Sequence, residues 1–423
     1  MEGCDCAHLV VCLGKSFHKV DIRLRLFDFD TTDSRFDMAA LFNCNALGKC
    51  PTPTLLKQRS RISVASSSRC FAGHRGTSRT SSVAFVCAAG NQLEQLSDMT
   101  TLSVDTGDLS LIEEFAATGC ITDATTNPLL VAQAGLRGDA TYVAFVEEAV
   151  SYAKENASGD DAVALAMDRL AVNLGREIVK IVPGYVSTEV DPRLSFDTEE
   201  TVFRGKRIID MYETAGVDRS RVLIKVAGTW EGIMAMEQLE KEGIHCNVTL
   251  VFGFTQAVAS AQRGAHLISP FTGRILDWHK AKTGQEVWEP EEDAGVVECA
   301  RMYNYFKKYG HDTICMPASW RPSRGPGYDL DEIRALAGAD RMTIPPQFLN
   351  QLRDSTEELP RVLDVESGAA ACTDDEVGGG KMDEKLFRFM LNADGCTTVK
   401  MAEGICSFVS ETEKLEEAIR ASL

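Results

Sequence analysis

The chain has 423 residues, with 44 Lys+Arg against 62 Asp+Glu for a formal net charge of -18, 44% hydrophobic residues and 14 cysteines. That length supports a large core, and the acidic balance argues against broad electrostatic binding to nucleic acid or anionic lipid, both of which repel a chain of this sign. No apolar run approaches the roughly 18 residues that a membrane span needs, so a soluble protein without membrane partners is expected.

The charge is unevenly spread. The first 90 residues hold 12 Lys+Arg and 7 Asp+Glu, and the remaining 333 hold 32 and 55; seven of the cysteines also fall in the first part. From Ala39 to Gly90 there is no Asp or Glu at all, while eight Ser and seven Lys+Arg precede and flank the small-residue ending Val86-Cys87-Ala88-Ala89. Arg- and Ser-rich, acid-poor composition marks an organelle address. Met38-Ala39-Ala40 resembles the opening of a chloroplast transit peptide, with a mitochondrial leader as the rival. Residues 1 to 37 carry Asp21, Asp28, Asp30, Asp33 and Asp37, which plastid addresses avoid, so translation is expected to start at Met38. Cys4, Cys6, His8, Cys12 and His18 match no standard zinc spacing. The expected organisation is a leader over residues 1 to 90, with 1 to 37 a gene-model extension, and one body over 91 to 423. The body's cysteines are scattered singly, as in a reducing compartment.

From Leu102 onward, short β-branched runs alternate with helical patterns, which predicts a parallel sheet. Candidate strands are Leu102 to Asp105, Ile121 to Thr125, Ile178 to Val182, Val222 to Ala227, Cys246 to Phe252, His266 to Pro270, Thr313 to Met316 and Arg341 to Ile344. A helix runs from about Trp230 to Glu242, with Ile233, Met236 and Leu239 inward and Gly243 closing it. Another places Val296, Cys299, Ala300, Tyr303 and Phe306 on one face before Gly310. Eight strands with intervening helices fit an α/β fold of the (β/α)8 TIM barrel type. The alternative, a doubly wound open sheet, would normally show a glycine-rich phosphate loop, and neither GxGxxG nor a Walker sequence is present. The tail adds an acidic, glycine-rich loop around Ser367 to Gly380 and two extra C-terminal helices. Asn392, Asp394 and Gly395 suggest a calcium loop, but its first and twelfth positions would be Met390 and Met401, which cannot ligate calcium.

Within Val222-Leu223-Ile224-Lys225-Val226-Ala227, one amine interrupts a buried strand. An ammonium there loses hydration unless paired, and desolvation favours the neutral form of an amine, which can attack a ketone to form a Schiff base. A lysine paired with a neighbouring carboxylate is the other reading of this strand. Barrel active sites gather at the carboxyl ends of the strands, and there the chain offers Asp105, Thr125, Asn127, Glu189, Asn247, Thr249, Ser269, Arg274, Ser319 and Arg321. Asp105 or Asn127 alone could cap a helix. Together these groups supply an amine, two carboxylates, hydroxyls, amides and two guanidiniums, as a phosphorylated hydroxyketone requires.

Long motifs carry a resemblance. "VDTGD" at 104 to 108, "DATTNP" at 123 to 128, "VPGYVSTEVDPRLSFDT" at 182 to 198, "VLIKVAGTWEGI" at 222 to 233, "GIHCNVTLVFGFTQA" at 243 to 257, "LISPFTGRILDW" at 267 to 278 and "KMAEGI" at 400 to 405 occur in one order. With them, the body resembles the transaldolase family from Leu93 to Leu423.

The resemblance implies a TIM barrel that moves a dihydroxyacetone unit between sugar phosphates. No cofactor or metal is needed; the substrates are sugar phosphates, and a homodimer is left open. Lys225 would form the Schiff base, Asp105 would act as general base at the C4 hydroxyl, and Glu189 with Thr249 would hold the water that shuttles protons. Thr125, Asn127, Asn247 and Ser269 would bind substrate hydroxyls, and Arg274, Ser319 and Arg321 would clamp the phosphate. At Phe271 an apolar ring goes with transfer, whereas relatives that release free dihydroxyacetone carry tyrosine; a plain core phenylalanine is the alternative. The chain departs from the family pattern at Leu129, at Gly228 and Gly253, where serines are common, and at Met316 to Pro322 followed by "SRGPGYDL", which is longer than in bacterial relatives. A Schiff-base aldolase releasing free dihydroxyacetone and a non-catalytic sugar-phosphate-binding homologue are the competing functions. The latter would be expected to have lost Lys225, Asp105 or Glu189.

Overall fold

The computed structural model describes residues 90–423. The expectations about Met38, the Cys4 to His18 cluster and the leader as a whole lie outside the described residues. Eight parallel strands form one sheet: β1 Thr101–Asp105, β2 Ile121–Thr125, β3 Val186–Glu189, β4 Val222–Ala227, β5 Cys246–Val251, β6 Leu267–Pro270, β7 Ile314–Cys315 and β8 Arg341–Ile344. Their order is β7-β6-β5-β4-β3-β2-β1-β8, with β8 paired to β1. The remaining seam, between β7 and β8, is bridged by single bonds. Thr343 N–H donates to Pro317 O at 3.2 Å, Cys315 N–H to Asp340 Oδ2 at 3.1 Å, and Trp320 Nε1–H to Thr343 O at 2.8 Å. With helices outside, this is a (β/α)8 barrel.

Alternation along the strands divides the chemistry. Val104, Val186, Ile224, Val226, Val248, Ile268, Met342 and Ile344 pack in the main apolar core with the helices. The intervening residues of each strand point the other way, into the barrel. There Leu223, Leu267 and Met316 form a separate small apolar cluster, and Arg341 pairs with Asp123. Above this plug the interior turns polar, so the fold delivers polar side chains to the carboxyl ends of the strands.

One strand was misplaced by local composition. Ile178 to Val182, expected as the third strand, is instead the end of the Gly159–Ile181 helix. Leu170, Leu174 and Ile178, four residues apart, are all buried, so the helical period overrides the β-branched run. The true β3 is the short Val186–Glu189, which places Glu189 at a strand end. The other strands lie within a residue or two of expectation.

The Trp230–Lys241 helix buries Ile233, Met236 and Leu239 as expected. The Ala294–Tyr309 helix buries Val296, Cys299, Tyr303 and Phe306, and Gly310 ends it at φ 65°, a conformation glycine adopts without a Cβ penalty. In the tail, part of the expected Ser367 to Gly380 loop is the Val365–Ala371 helix. Then follow Glu384–Ala393 and Gly395–Arg420. Asp394 caps the last helix by accepting from Cys396 N–H and Thr397 N–H, so Asn392-Asp394-Gly395 marks a helix boundary. That helix lays Ile405 and Phe408 against Leu250, Phe252 and Phe271. A Cβ on its Gly404 would stand 2.8 Å from Leu250 Cδ2, which gives the glycine of "KMAEGI" a packing reason. All seven cysteines of the described residues are free, and among these residues no helix is long and apolar enough to cross a membrane.

Candidate active site

Lys225 lies on β4, where all six residues are buried, in register with Glu189 of β3 and Asn247 of β5. Its ammonium reaches Thr126 O at 3.2 Å and stands 3.8 Å from Glu189 Oε2, with both side chains almost wholly buried. At 3.8 Å the pair attracts without a good hydrogen bond. Glu189 Oε2 accordingly has no hydrogen-bond partner, and neither has Thr249 Oγ1 on β5. Burial pushes the Glu189 carboxyl up to about 7, against the opposing pull of Lys225.

Asp105 ends β1, aligned with Thr125 at the end of β2. Thr125 Oγ1 donates to Asp105 Oδ1 at 2.8 Å and shares a 2.6 Å hydrogen bond with Thr343 Oγ1. Burial raises the Asp105 carboxyl above the usual range, opposed by the charge of Lys225, the Thr125 hydroxyl and Arg274. Asp105 therefore faces the amine as a strengthened base and caps no helix. Helix capping on that loop falls to Asp108.

On the other side of the lysine, Ser269 Oγ donates to Asn247 Oδ1 at 2.6 Å, and Asn247 Nδ2 donates to Ser187 Oγ at 3.2 Å. Asn247 and Ser269 are thus fixed by each other. Leu250, at φ 54°, interrupts the β5–β6 ladder directly after Thr249. Asn127 stands apart in one respect: its Oδ1 accepts from Leu130 N–H as the cap of the Pro128–Gly135 helix. A small cleft beside Glu189 is lined by Asn127, Pro128, Asp191, Arg204 and Thr412 among others.

Phe271 connects β6 to the Thr272–Thr283 helix, buried in an apolar group with Ala227, Phe252, Ile275 and Ala318. The Arg274 guanidinium lies 5.0 Å from the centre of its ring. Burial lowers the pKa of Arg274, the charge of Arg321 adds to this, and Asp277, Asp105 and Glu189 oppose it. Arg274 is therefore the cation that feels both carboxylates of the lysine pocket and the second arginine. Arg321 Nε donates to Asp277 Oδ2 at 3.2 Å. Ser319, between β7 and Arg321, is held at φ 62°, strained for a residue with a Cβ. A Cβ on Gly273 would lie 2.4 Å from Arg321 Cγ and 2.5 Å from Ser319 O, so only glycine lets the helix and the 319–321 segment close together.

The barrel thus gathers Lys225, Asp105, Glu189, Thr125, Asn247, Thr249, Ser269 and Arg274 around one interior space. Phe271, Ser319 and Arg321 lie on the segments that follow β6 and β7, and Asn127 caps the helix that follows β2. Thr343, Ser187 and the carbonyl of Thr126 went unnoticed in the sequence. Thr343 and Ser187 occupy inward positions of β8 and β3; β8 lies where the sequence places it, but a lone strand hydroxyl shows its role only through the partner it faces. Gly253 also has a local reason: a Cβ would come within 2.0 Å of Thr397 Oγ1 and 2.6 Å of Asp394 Oδ2, so the cap of the last helix occupies the space where a serine would stand. Gly228 is similarly closed in, with Gln256 Nε2 at 2.7 Å from a Cβ.

A buried amine flanked by two carboxyls of raised pKa, at the carboxyl end of a (β/α)8 barrel and with two guanidiniums nearby, defines an enzyme equipped for Schiff-base chemistry on a phosphorylated carbonyl compound. The Transaldolase/Fructose-6-phosphate aldolase family profile matches residues 102–419, and the chain belongs to that family. It is 46% identical over 338 residues to a transaldolase of Marinomonas sp. (strain MWYL1), covering 79% of this chain and 99% of that protein. It is 48% identical over 337 residues to one of Thermosynechococcus vestitus, covering 79% and 82%. It is 47% identical over 338 residues to one of Saccharomyces cerevisiae, covering 78% and 95%.

Proposed function

We propose that the chain is a transaldolase of the pentose phosphate pathway. It moves a dihydroxyacetone unit from sedoheptulose 7-phosphate or fructose 6-phosphate to glyceraldehyde 3-phosphate or erythrose 4-phosphate. The observation that carries this reading is Lys225, buried on β4 beside a carboxyl poised near neutrality. Lys225 Nζ attacks the ketone carbon, and the resulting carbinolamine loses water to give a protonated imine. Glu189, with a pKa of about 7, can give and retake the protons of that dehydration, working with Thr249 through a water. Asp105, its basicity raised by burial, takes the proton of the C4 hydroxyl. The C3–C4 electron pair then flows to the imine nitrogen, forming an enamine and releasing the first aldose phosphate. The enamine carbon attacks the acceptor aldehyde, Asp105 returns its proton to the new alkoxide, and water frees the product from Lys225. Thr125, Asn127, Asn247 and Ser269 bind hydroxyls, and Arg274, Ser319 and Arg321 hold the phosphate.

Transfer requires that water not protonate the enamine before the acceptor arrives. The apolar setting of Phe271 supports transferase over free dihydroxyacetone release. A non-catalytic role is disfavoured by the intact set Lys225, Asp105 and Glu189. Borohydride reduction with fructose 6-phosphate is expected to attach dihydroxyacetone to Lys225 and to fail in Lys225→Met. An unlabelled lysine in the wild type would overturn the assignment, and a coupled assay with and without erythrose 4-phosphate separates transferase from aldolase.

The acid-free composition from Ala39 to Gly90 supports a chloroplast address, so the working enzyme would be stromal and lack the first 90 residues or so. Residues 1 to 90 fused to a fluorescent protein are expected to accumulate in plastids. Accumulation in mitochondria would favour the rival address.

A further inference from the structure

Two buried carboxyls support the segment that carries Ser319 and Arg321, and the reaction above uses neither. Glu332, in the Asp331–Ala335 helix, is fully buried. Its Oε2 accepts the backbone N–H of Arg321 at 2.6 Å, while its Oε1 has no hydrogen-bond partner. Asp293 is also fully buried. It caps the Ala294–Tyr309 helix through Gly295 N–H and Val296 N–H, and its other oxygen accepts from Ser323 Oγ at 2.6 Å. The two acids bond one short segment, residues 321 to 323, and burial, and then the charge of Asp293, pushes Glu332 well above the usual carboxyl range.

Burying two acids costs stability, and what both contact is the segment just after Ser319. Residues 321 and 323 hang from them by one backbone and one side-chain bond. The opposite side of the segment rests on the first turn of the Thr272–Thr283 helix, where Thr272 N–H and Gly273 N–H donate to Ala318 O and Ser319 O at 3.0 and 2.9 Å. Between these supports Ser319 is held left-handed, and the Arg321 guanidinium donates through Nε to Asp277 Oδ2 at 3.2 Å and through Nη1 to Trp320 O at 2.9 Å. The tethers from Glu332 and Asp293 act on the Arg321 backbone and on Ser323, so what Glu332 controls is the direction in which Arg321 leaves the chain.

We propose that Glu332, assisted by Asp293 through Ser323, is a positioning residue for phosphate recognition: it pins the Arg321 backbone so that the guanidinium meets the substrate phosphate. This rests on the reading of Arg321 as a phosphate ligand. Glu332→Met keeps the bulk and removes the acceptor, whereas Glu332→Gln keeps a carbonyl oxygen for the Arg321 N–H.

The probes are the KM for fructose 6-phosphate and the inhibition constant of inorganic phosphate. Loss of a buried acceptor is expected to raise both by about tenfold in Glu332→Met, with kcat within about twofold and Glu332→Gln close to wild type. Ser323→Ala removes one neutral tether and is expected to raise the phosphate inhibition constant by about threefold. A fall in kcat with KM and phosphate inhibition unchanged in Glu332→Met overturns the proposal. If that variant does not fold, an unchanged inhibition constant in Ser323→Ala overturns it instead. Arg321→Gln separates the two levels. If it leaves phosphate inhibition unchanged, the clamp itself is wrong; if it weakens inhibition while Glu332→Met does not, only the role of Glu332 fails.

Discussion

Lys225 and Glu189 face each other across the β3–β4 register, yet their 3.8 Å separation leaves Glu189 Oε2 without a hydrogen bond. For Glu189, burial outweighs the attraction of the lysine, and the carboxyl rises from 4.5 to about 7. The folded enzyme then keeps a proton that the unfolded chain has already lost above its ordinary carboxyl pKa. This contribution to stability is complete below about 4.5 and is lost as pH rises through about 7. Glu189→Gln should therefore gain thermal stability relative to wild type on going from about pH 5 to about pH 8. The reverse trend in thermal unfolding would mean that the lysine's attraction wins over burial. The same substitution removes the proposed proton shuttle, so kcat should fall by about 100-fold or more and the limb of its pH profile near neutrality should disappear. Of this pocket, Lys225 was legible because a charge inside an apolar strand has few explanations. Asp105, Asn247 and Thr249 followed from their places on correctly read strands. Ser187 and Thr343 were not legible, because a hydroxyl on a strand carries no signal until its facing partner is known. The same holds for the Thr126 carbonyl that receives the lysine.

Among the elements, β3 shows where reading by composition fails. Ile178 to Val182 is apolar and β-branched, while the real strand Val186–Glu189 presents Ser187 and Glu189 to the barrel interior and Thr188 to Tyr212 on the outside. A strand that serves an active site on one face, and hydrogen-bonds a helix on the other, loses the hydrophobic signature used to find strands. The neighbouring helix keeps its own signature, and its closing apolar turn imitated the missing strand. β4 and β5 were read nearly to the residue because their outward faces, Ile224 and Val226 or Cys246 and Val248, are purely apolar. The tail was partly legible for a different reason. Its two helices are amphipathic, but the short Val365–Ala371 helix is below the length at which a period can be recognised. The supports of the 319–323 segment come from three separate helices, so sequence spacing could show that the segment is long but not what holds it.

At the scale of the molecule, the cations proposed to bind substrate work against the overall charge. Residues 91 to 423 carry 32 basic and 55 acidic residues, a net of -23, more negative than the -18 of the full chain. A sugar phosphate dianion therefore approaches a repelling body, and is attracted only near Arg274, Arg321 and Lys225. These two effects have different ranges. The repulsion extends over a screening length of about 30 Å at 0.01 M salt and about 8 Å at 0.15 M, whereas the arginines act at contact, where mobile ions screen little. Moderate salt should accordingly remove more repulsion than attraction. The expected result is a rise of about two- to threefold in kcat/KM for fructose 6-phosphate as potassium chloride goes from about 0.01 to about 0.15 M. At higher concentrations chloride competes at the guanidiniums, so KM should rise while kcat holds. A steady fall in kcat/KM from the lowest salt upward would show instead that the arginines' field reaches beyond the barrel mouth and steers the substrate despite the acidic surface.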